Sequence, residues 1–190
     1  MPGRIYAKLI ELANERHGFV TPADAKGAGI HPMNLVRMAE RGQLERRANG
    51  IYRFPLVPRT SLDAYMEAAL WPRGGGILSH QTALDLYEMS DVHPTKIDIT
   101  IPKNHRVQRQ IPRSYRLHRE GLEPGQVGGF EGIPLVTPAH AVRQAHRAHL
   151  GAALLAQAID QGQRNGRLSL REAKKLRTEV GVLPGDGSRR

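Results

Sequence analysis

HPMNLVRMAERGQLERRANGIYRF, residues His31 to Phe54, decides the architecture of everything around it. Pro32 suits the first position of a helix, because its fixed backbone angle is already helical and its missing N–H would have no partner there. Leu35, Met38 and Ala39 then recur at three- and four-residue spacing as one apolar face, and Gly42 supplies the left-handed residue that ends helices. The spacing predicts a helix of about ten residues starting at Pro32. Arg37 lies opposite the apolar face and Met33, Asn34 and Arg41 flank it. A buried inner side therefore leaves a cationic, amide-bearing outer side, of a kind that suits a major groove.

After Gly42, the runs Leu44–Arg47 and Ile51–Phe54 are joined by Ala48, Asn49 and Gly50. Asn-Gly between strand-like residues is the strongest short hairpin signal, since a type I′ turn needs positive φ at both central residues. A two-residue loop sets Arg46 opposite Arg53, an unfavourable like-charge pair unless an anion such as phosphate lies between them. A three-residue loop sets Arg53 opposite Glu45 instead. Both registers fit the sequence.

Upstream, Ile5, Leu9, Leu12 and Ala13 make an apolar stripe at helical spacing that should end by Gly18. In Thr21-Pro22-Ala23-Asp24, Thr21 can cap, Pro22 can open a helix, and Asp24 places negative charge in its first turn. That short helix ends at Gly27-Ala28-Gly29 and feeds the helix at Pro32. Three helices and a hairpin make a winged helix-turn-helix over residues 1–56, in which the third helix enters the groove and the wing lies along the backbone. The candidate DNA contacts are Met33, Asn34, Arg37 and Arg41 on the helix, and Arg46, Arg47, Asn49 and Arg53 on the wing. The competing reading is plain solvated surface, and winged helices also act as protein-docking modules.

The chain has 190 residues, 39% of them apolar and only 5% aromatic, so aliphatic side chains must fill its cores. It has no cysteine, which removes disulfides, thiolate metal sites and cysteine nucleophiles and fits a reducing compartment. No apolar run approaches the roughly 18 residues of a membrane span, and no signal peptide is recognisable; the expectation is a cytoplasmic protein. A net charge of +10 favours polyanionic partners.

Pro55 and Pro58 resist both ladders and helices, which predicts a linker over 57–60, a mixed α/β domain over 61–181 with helices at its C-terminal end, and a tail over 182–190. The expected class is α+β. Ser61 can cap a helix to about Leu70, and the glycine run at 74–76 lacks the lysine and hydroxyl of a phosphate loop, so it reads as a turn. Ser79 can cap a helix from His80 to about Glu88, with Ala83, Leu84 and Tyr87 inward. Ile97, Ile99 and Ile101 alternate with Asp98 and Thr100 as in a half-buried strand. From Lys103 to Arg119 the chain has Lys103, Arg106, Arg109, Arg113, Arg116 and Arg119, with His105 and His118 and no acid. Such a run fits a solvated loop and edge strand equally with a second basic surface for nucleic acid or an acidic partner. Ile133–Val136 reads as a strand, and Thr137-Pro138 opens a helix bearing His140, His146 and His149. Residues 152–163 form an apolar-faced helix, and Ser169-Leu170-Arg171-Glu172 is a capping box for a last helix to about Val180.

Chemistry is sparse. The three histidines have basic neighbours and no carboxylate at a metalloprotease spacing, so they read as solvated. Ser79 beside His80 does not make a nucleophile and base, because adjacent helical side chains point apart. Asp98 and Glu131 stand alone, and no dinucleotide or ATP motif is present. The expectation is no catalytic residue, no metal, no cofactor and no enzymatic activity.

The order of winged helix, proline linker, SHQTALDLYEMSD, IDITIPKNHR, RLHRE and GIPLVTPAHAV resembles the AbiEi family of antitoxins, partners of nucleotidyltransferase-like toxins in type IV toxin-antitoxin pairs. The resemblance spans roughly Arg4 to Ser169. It implies an operon autorepressor whose N-terminal domain binds double-stranded DNA at repeats in its own promoter, as a monomer or weak dimer, and whose C-terminal domain counters the toxin. Only the wing and third helix are carried over as DNA contacts. The alternative is a basic adaptor that docks an acidic protein without sequence-specific DNA binding.

Overall fold

The computed structural model describes residues 3–73 and 75–183, and the chain divides into two compact units, Met1–Gly76 and Ile77–Arg190. Both helices and sheets are present, so the class is α+β. Most of the expected tail, from 184 on, lies outside the described residues.

The first unit runs α1 (Arg4–Asn14), β1 (Phe19–Val20), α2 (Pro22–Gly27), α3 (Met33–Glu40), β2 (Glu45–Ala48), β3 (Ile51–Arg53) and α4 (Asp63–Leu70). Its sheet has the order β1-β3-β2, antiparallel throughout. Helix, strand, two helices and a hairpin over one sheet is winged-helix topology. Helix α1 stops at Asn14, short of the expected end, because His17 (φ 53°) and Gly18 (φ 85°) are both left-handed and Gly18 N–H bonds to Ala13 O at 2.8 Å. Helix α2 starts as its sequence demands. Asp24 N–H donates to Thr21 Oγ1 and Thr21 N–H to the Asp24 carboxylate, a reciprocal capping box with Pro22 behind it. Leu9, Ala13, Val20, Ala25, Leu35, Met38, Leu44, Tyr52 and Phe54 close one core among these elements, while Ile5 is left largely exposed.

Helix α4 belongs to this unit, so the boundary falls after Gly76 rather than at 60/61. The two prolines do interrupt the ladder, but polar bonds tie the chain beyond them back to the hairpin. Ser61 does not cap α4; instead Asp63 accepts from both the N–H (3.0 Å) and the hydroxyl (3.1 Å) of Thr60.

The second unit runs β4 (Ile77–Leu78), α5 (His80–Leu86), β5 (Ile97–Ile101), β6 (Tyr115–Arg119), β7 (Val127–Phe130), β8 (Ile133–Val136), α6 (Pro138–Arg147), α7 (Ala152–Arg164) and α8 (Leu170–Val180). Its sheet order is β6-β5-β4-β8-β7, with β5 parallel to β6, β4 parallel to β8, and the other pairs antiparallel. Helix α5 packs on β5 and α6, and α6 packs on α7 and α8. Arg143 reaches Glu179 at 2.7 Å from α6 to α8, and Arg177 pairs with Asp160 from α8 to α7. The Ser169–Glu172 capping box forms as expected, and Gly181 (φ 70°) ends α8 in the left-handed conformation.

Three expectations fail in this unit, and all fail in one place. Strand β5 is not half-solvated: Asp98 and Thr100 are buried as fully as Ile99 and Ile101. His140 is 4% exposed, whereas His146 and His149 are on the surface. Ser79 makes no cap bond, because its hydroxyl accepts from Thr100 Oγ1 (2.8 Å) and meets His80 Nδ1 at 2.9 Å. Adjacent side chains meet here because Ser79 is extended and His80 has φ 51°, so the two are not successive helical residues.

Candidate nucleic-acid interface

Helix α3 buries Leu35 and Met38 and turns Met33, Arg37, Glu40 and Arg41 outward, with Asn34 half-buried between the two sides. The amphipathic split is the expected one. At its start His31 organises the first turn: Met33 N–H donates to His31 Nδ1 (3.2 Å) and Asn34 Nδ2 donates to His31 O (3.0 Å). One of the two Asn34 Nδ2 hydrogens is thus taken by the backbone, which leaves the other N–H and Oδ1 for a base. Behind α3, Arg16 from the end of α1 pairs with Asp24 of α2 at 2.7 Å, fixing the helices on which α3 rests.

The hairpin resolves the two registers left open by the sequence with an element neither considered. Ala48 pairs with Ile51 across a two-residue loop, but a bulge between Arg46 and Ala48 shifts the ladder so that Arg46 faces Tyr52 and Glu45 faces Arg53. The like-charge pair that would call for a phosphate does not form. Gly50 (φ 78°) takes positive φ and Asn49 does not, so the turn is not type I′. One glycine suffices because the bulge supplies the extra twist.

Arg53, expected on the wing as a DNA contact, is buried in the fold instead. It is 1% exposed, and its guanidinium donates to Asp63 Oδ2 (2.9 Å) and to the carbonyls of Phe54 (3.1 Å), Val57 (3.0 Å) and Pro58 (3.0 Å), with the Phe19 ring 5.8 Å away. A buried cation needs this full set of acceptors. Other hairpin groups are also tied to the segment after the prolines. Arg47 pairs with Glu67 at 3.1 Å, Glu45 with Arg59 at 2.9 Å, and Asn49 O accepts from Arg73 at 3.2 Å. The signal for this was in the sequence: Asp63 and Glu67 stand one helical turn apart, on one face, and face two wing arginines.

Among the described residues, Arg37, Arg41 and Arg46 are exposed and have no ion-pair partner, and Met33 is exposed beside them. Arg47 is exposed but paired with Glu67, and Asn49 is exposed with its backbone carbonyl taken by Arg73. The exposed, unpaired candidates are thus those of α3 and, among the described wing cations, Arg46.

The basic stretch of the second unit is a loop followed by the edge strand β6, where cationic side chains discourage pairing with another sheet. Lys103, Arg106 and Arg113 are exposed, and Arg109 is half-buried. Arg116 reaches the buried Asp98 carboxylate at 3.4 Å, and Arg119 donates to His105 O at 2.5 Å. The six cations are therefore spread over different environments. No described helix is long and apolar enough to cross a membrane.

No curated protein matches the chain. A crystal structure titled as the RV2827C protein from Mycobacterium tuberculosis shares the fold, with a TM-score of 0.50 over 97% of this chain and 80% of that one, at 16% identity. Residues 7–55, which hold most of α1, all of α2 and α3, and the wing, match the family model of the AbiEi antitoxins, described as a transcriptional regulator.

Proposed function

We propose that the first unit binds double-stranded DNA at repeats in the promoter of its own gene and represses it, and that the chain as a whole counteracts a nucleotidyltransferase-like toxin. The observation that carries the DNA half is the set of unneutralised cations on the outer face of α3 and on the wing, Arg37, Arg41 and Arg46, in a stretch that matches a family of transcriptional regulators. Arginine suits guanine through a bidentate pair, so Arg37 and Arg41 read bases, with Asn34 and Met33 beside them, while Arg46 neutralises a phosphate. The antitoxin half rests on the family match.

The test is a gel-shift titration against the DNA upstream of the gene, with scrambled DNA as competitor, at two salt concentrations. Arg37→Ala should lose preference for the promoter by about 1 to 3 kcal/mol. Arg46→Ala should weaken binding to both DNAs alike and reduce the salt slope by about one. Equal affinity for both DNAs, collapsing with salt, would refute sequence-specific repression and favour the adaptor that docks an acidic protein. The antitoxin half is tested by co-expression with the neighbouring gene product: growth restored by the chain supports it, and growth arrest unchanged by the chain refutes it.

A further inference from the structure

The second unit holds a concentration of buried polar groups that DNA reading by the first does not use. Asp98 is fully buried on β5; its Oδ1 meets His118 Nε2 at 2.8 Å, while its Oδ2 has no hydrogen-bond partner among the described residues. The His118 ring lies on the His80 ring, centroids 3.6 Å apart and planes within 18°. His80 itself is held at φ 51°, on the sharp passage from β4 into α5. A non-glycine residue in that region costs about 1 to 3 kcal/mol and persists only where surroundings impose it, which is most often at a functional site. Behind the stack, Gln144 donates to Glu120 Oε2 at 2.7 Å and accepts from His80 N–H at 3.2 Å. A well-packed apolar layer would hold the same sheet and helices together without these desolvated groups.

What the layer supports is a cleft of about 710 Å³ lined by His80, Lys103, His118, Arg119, Glu120 and Arg147. Three permanent cations meet one carboxylate there, and that carboxylate is engaged by Arg147 at 2.7 Å and by Gln144. The cleft is therefore net positive, and its volume falls in the range of small-molecule sites. His118 is a quarter exposed at its floor. Because Asp98 takes its Nε2–H, the remaining ring nitrogen, Nδ1, is the one available to a ligand, and in the imidazolium it is a charge-assisted donor. Arginine and lysine at the rim with an oriented imidazole below form a donor set for an oxyanion with several acceptor oxygens.

We propose that this cleft binds a phosphorylated small molecule of nucleotide size, with its phosphate held by His118, Lys103, Arg119 and Arg147. The site lies wholly in the second unit and does not depend on promoter binding by the first.

The test uses the full chain, titrated by calorimetry with inorganic pyrophosphate, ADP and sulfate, and followed in parallel by the ring ¹⁵N resonances of its histidines. Saturable binding of pyrophosphate and ADP with a shift at His118 is expected; a much tighter ADP would add a base contact, and equal affinities would place recognition in the phosphates. The double variant K103A/R119A removes two exposed rim cations, and with Arg119 its bond to His105 O, and should weaken binding by about tenfold or more. His118→Gln, checked for a native circular dichroism spectrum, should do the same. Three results would overturn the site: no binding up to about 10 mM, sulfate bound as tightly as pyrophosphate, or affinity unchanged in both variants.

Discussion

Arg53→Met separates a structural arginine from a DNA-binding one. Methionine keeps most of the length of the side chain and removes the charge and donors, so the perturbation is the loss of the bonds to Asp63, Phe54 O, Val57 O and Pro58 O. Removing one partner from a buried ion pair costs about 3 to 5 kcal/mol, since the other charge is left uncompensated. Asp63 keeps 18% of its side chain in solvent and Pro58 is exposed, so some of these acceptors rehydrate. The lower end of the range, about 3 kcal/mol, is the expected loss. A unit of this size has about 4 to 11 kcal/mol in total, so the variant should fold with a much reduced reserve.

The readout is built in. The single tryptophan, Trp71, is buried in the first unit, so urea unfolding followed by its fluorescence reports on that unit. With a slope of about 1 to 2 kcal/mol per molar urea, the midpoint should fall by about 2 M. R53M/D63N should recover part of the loss, because it removes the stranded charge while an amide oxygen still accepts from Thr60. An unchanged midpoint combined with a large loss of promoter affinity under native conditions would refute the structural assignment and return Arg53 to the interface.

Burial, then the neighbouring His118 charge, pushes the His80 imidazole down from 6.5 to about 4. The unfolded chain thus binds the proton more readily than the folded one, so this contribution is intact above pH 6.5 and lost as pH falls toward 4, by about 3 kcal/mol in all. His80→Asn, which tolerates the left-handed backbone, should flatten that part of the pH dependence of unfolding of the second unit; an identical slope in wild type and variant would contradict it. Gly18→Ala forces a side chain onto positive φ (85°) with its Cβ 2.9 Å from Val57 Cβ. A loss of about 1 to 3 kcal/mol is expected in the Trp71 unfolding curve, and no loss would mean that the turn relaxes. In the second unit, burial also lowers His140, while Glu120, opposed by burial, is held down by Gln144 and Arg147. Gln144→Ala should therefore move the Glu120 titration upward, as read by side-chain NMR; an unmoved Glu120 resonance would exclude the coupling.

The parts of the fold legible in the sequence are those governed by local rules. Thr21-Pro22 with Asp24, and Ser169 with Glu172, are capping boxes whose partners lie three residues away, and both form. The amphipathic split of α3 follows from its own spacing. What escaped were residues whose partners are remote in sequence. Arg53 looks like its neighbours Arg46 and Arg47 until Asp63, ten residues on, folds back against it; the bulge that sets its register adds one residue that no propensity flags. The alternation Ile97-Asp98-Ile99-Thr100-Ile101 predicts a wet face only if nothing covers it, and α5, with Gln144 of α6, does.

The same distinction bears on the two sites. A DNA-reading helix announces itself because its outer face must be polar and its inner face apolar within one element. The cleft of the second unit and the buried layer beneath it draw His80, Asp98, His118, Glu120 and Arg147 from a strand-to-helix turn, two strands with the residue after one of them, and a helix. Each of these residues is unremarkable in its own segment: a capped helix start, an alternating strand, a basic run, a histidine-bearing helix. Their meaning arises from the parallel pairing of β5 with β6, which sets Asp98 beside Arg116 and Thr100 beside His118. Burying an aspartate there is unfavourable unless a donor accompanies it. Isosteric replacement of Asp98 by Asn keeps an oxygen that can accept from His118 Nε2–H but removes the carboxylate charge beside the ring. If pyrophosphate affinity falls while the second unit stays folded, the Asp98 charge acts through the imidazole; if affinity is unchanged, its burial serves the fold alone.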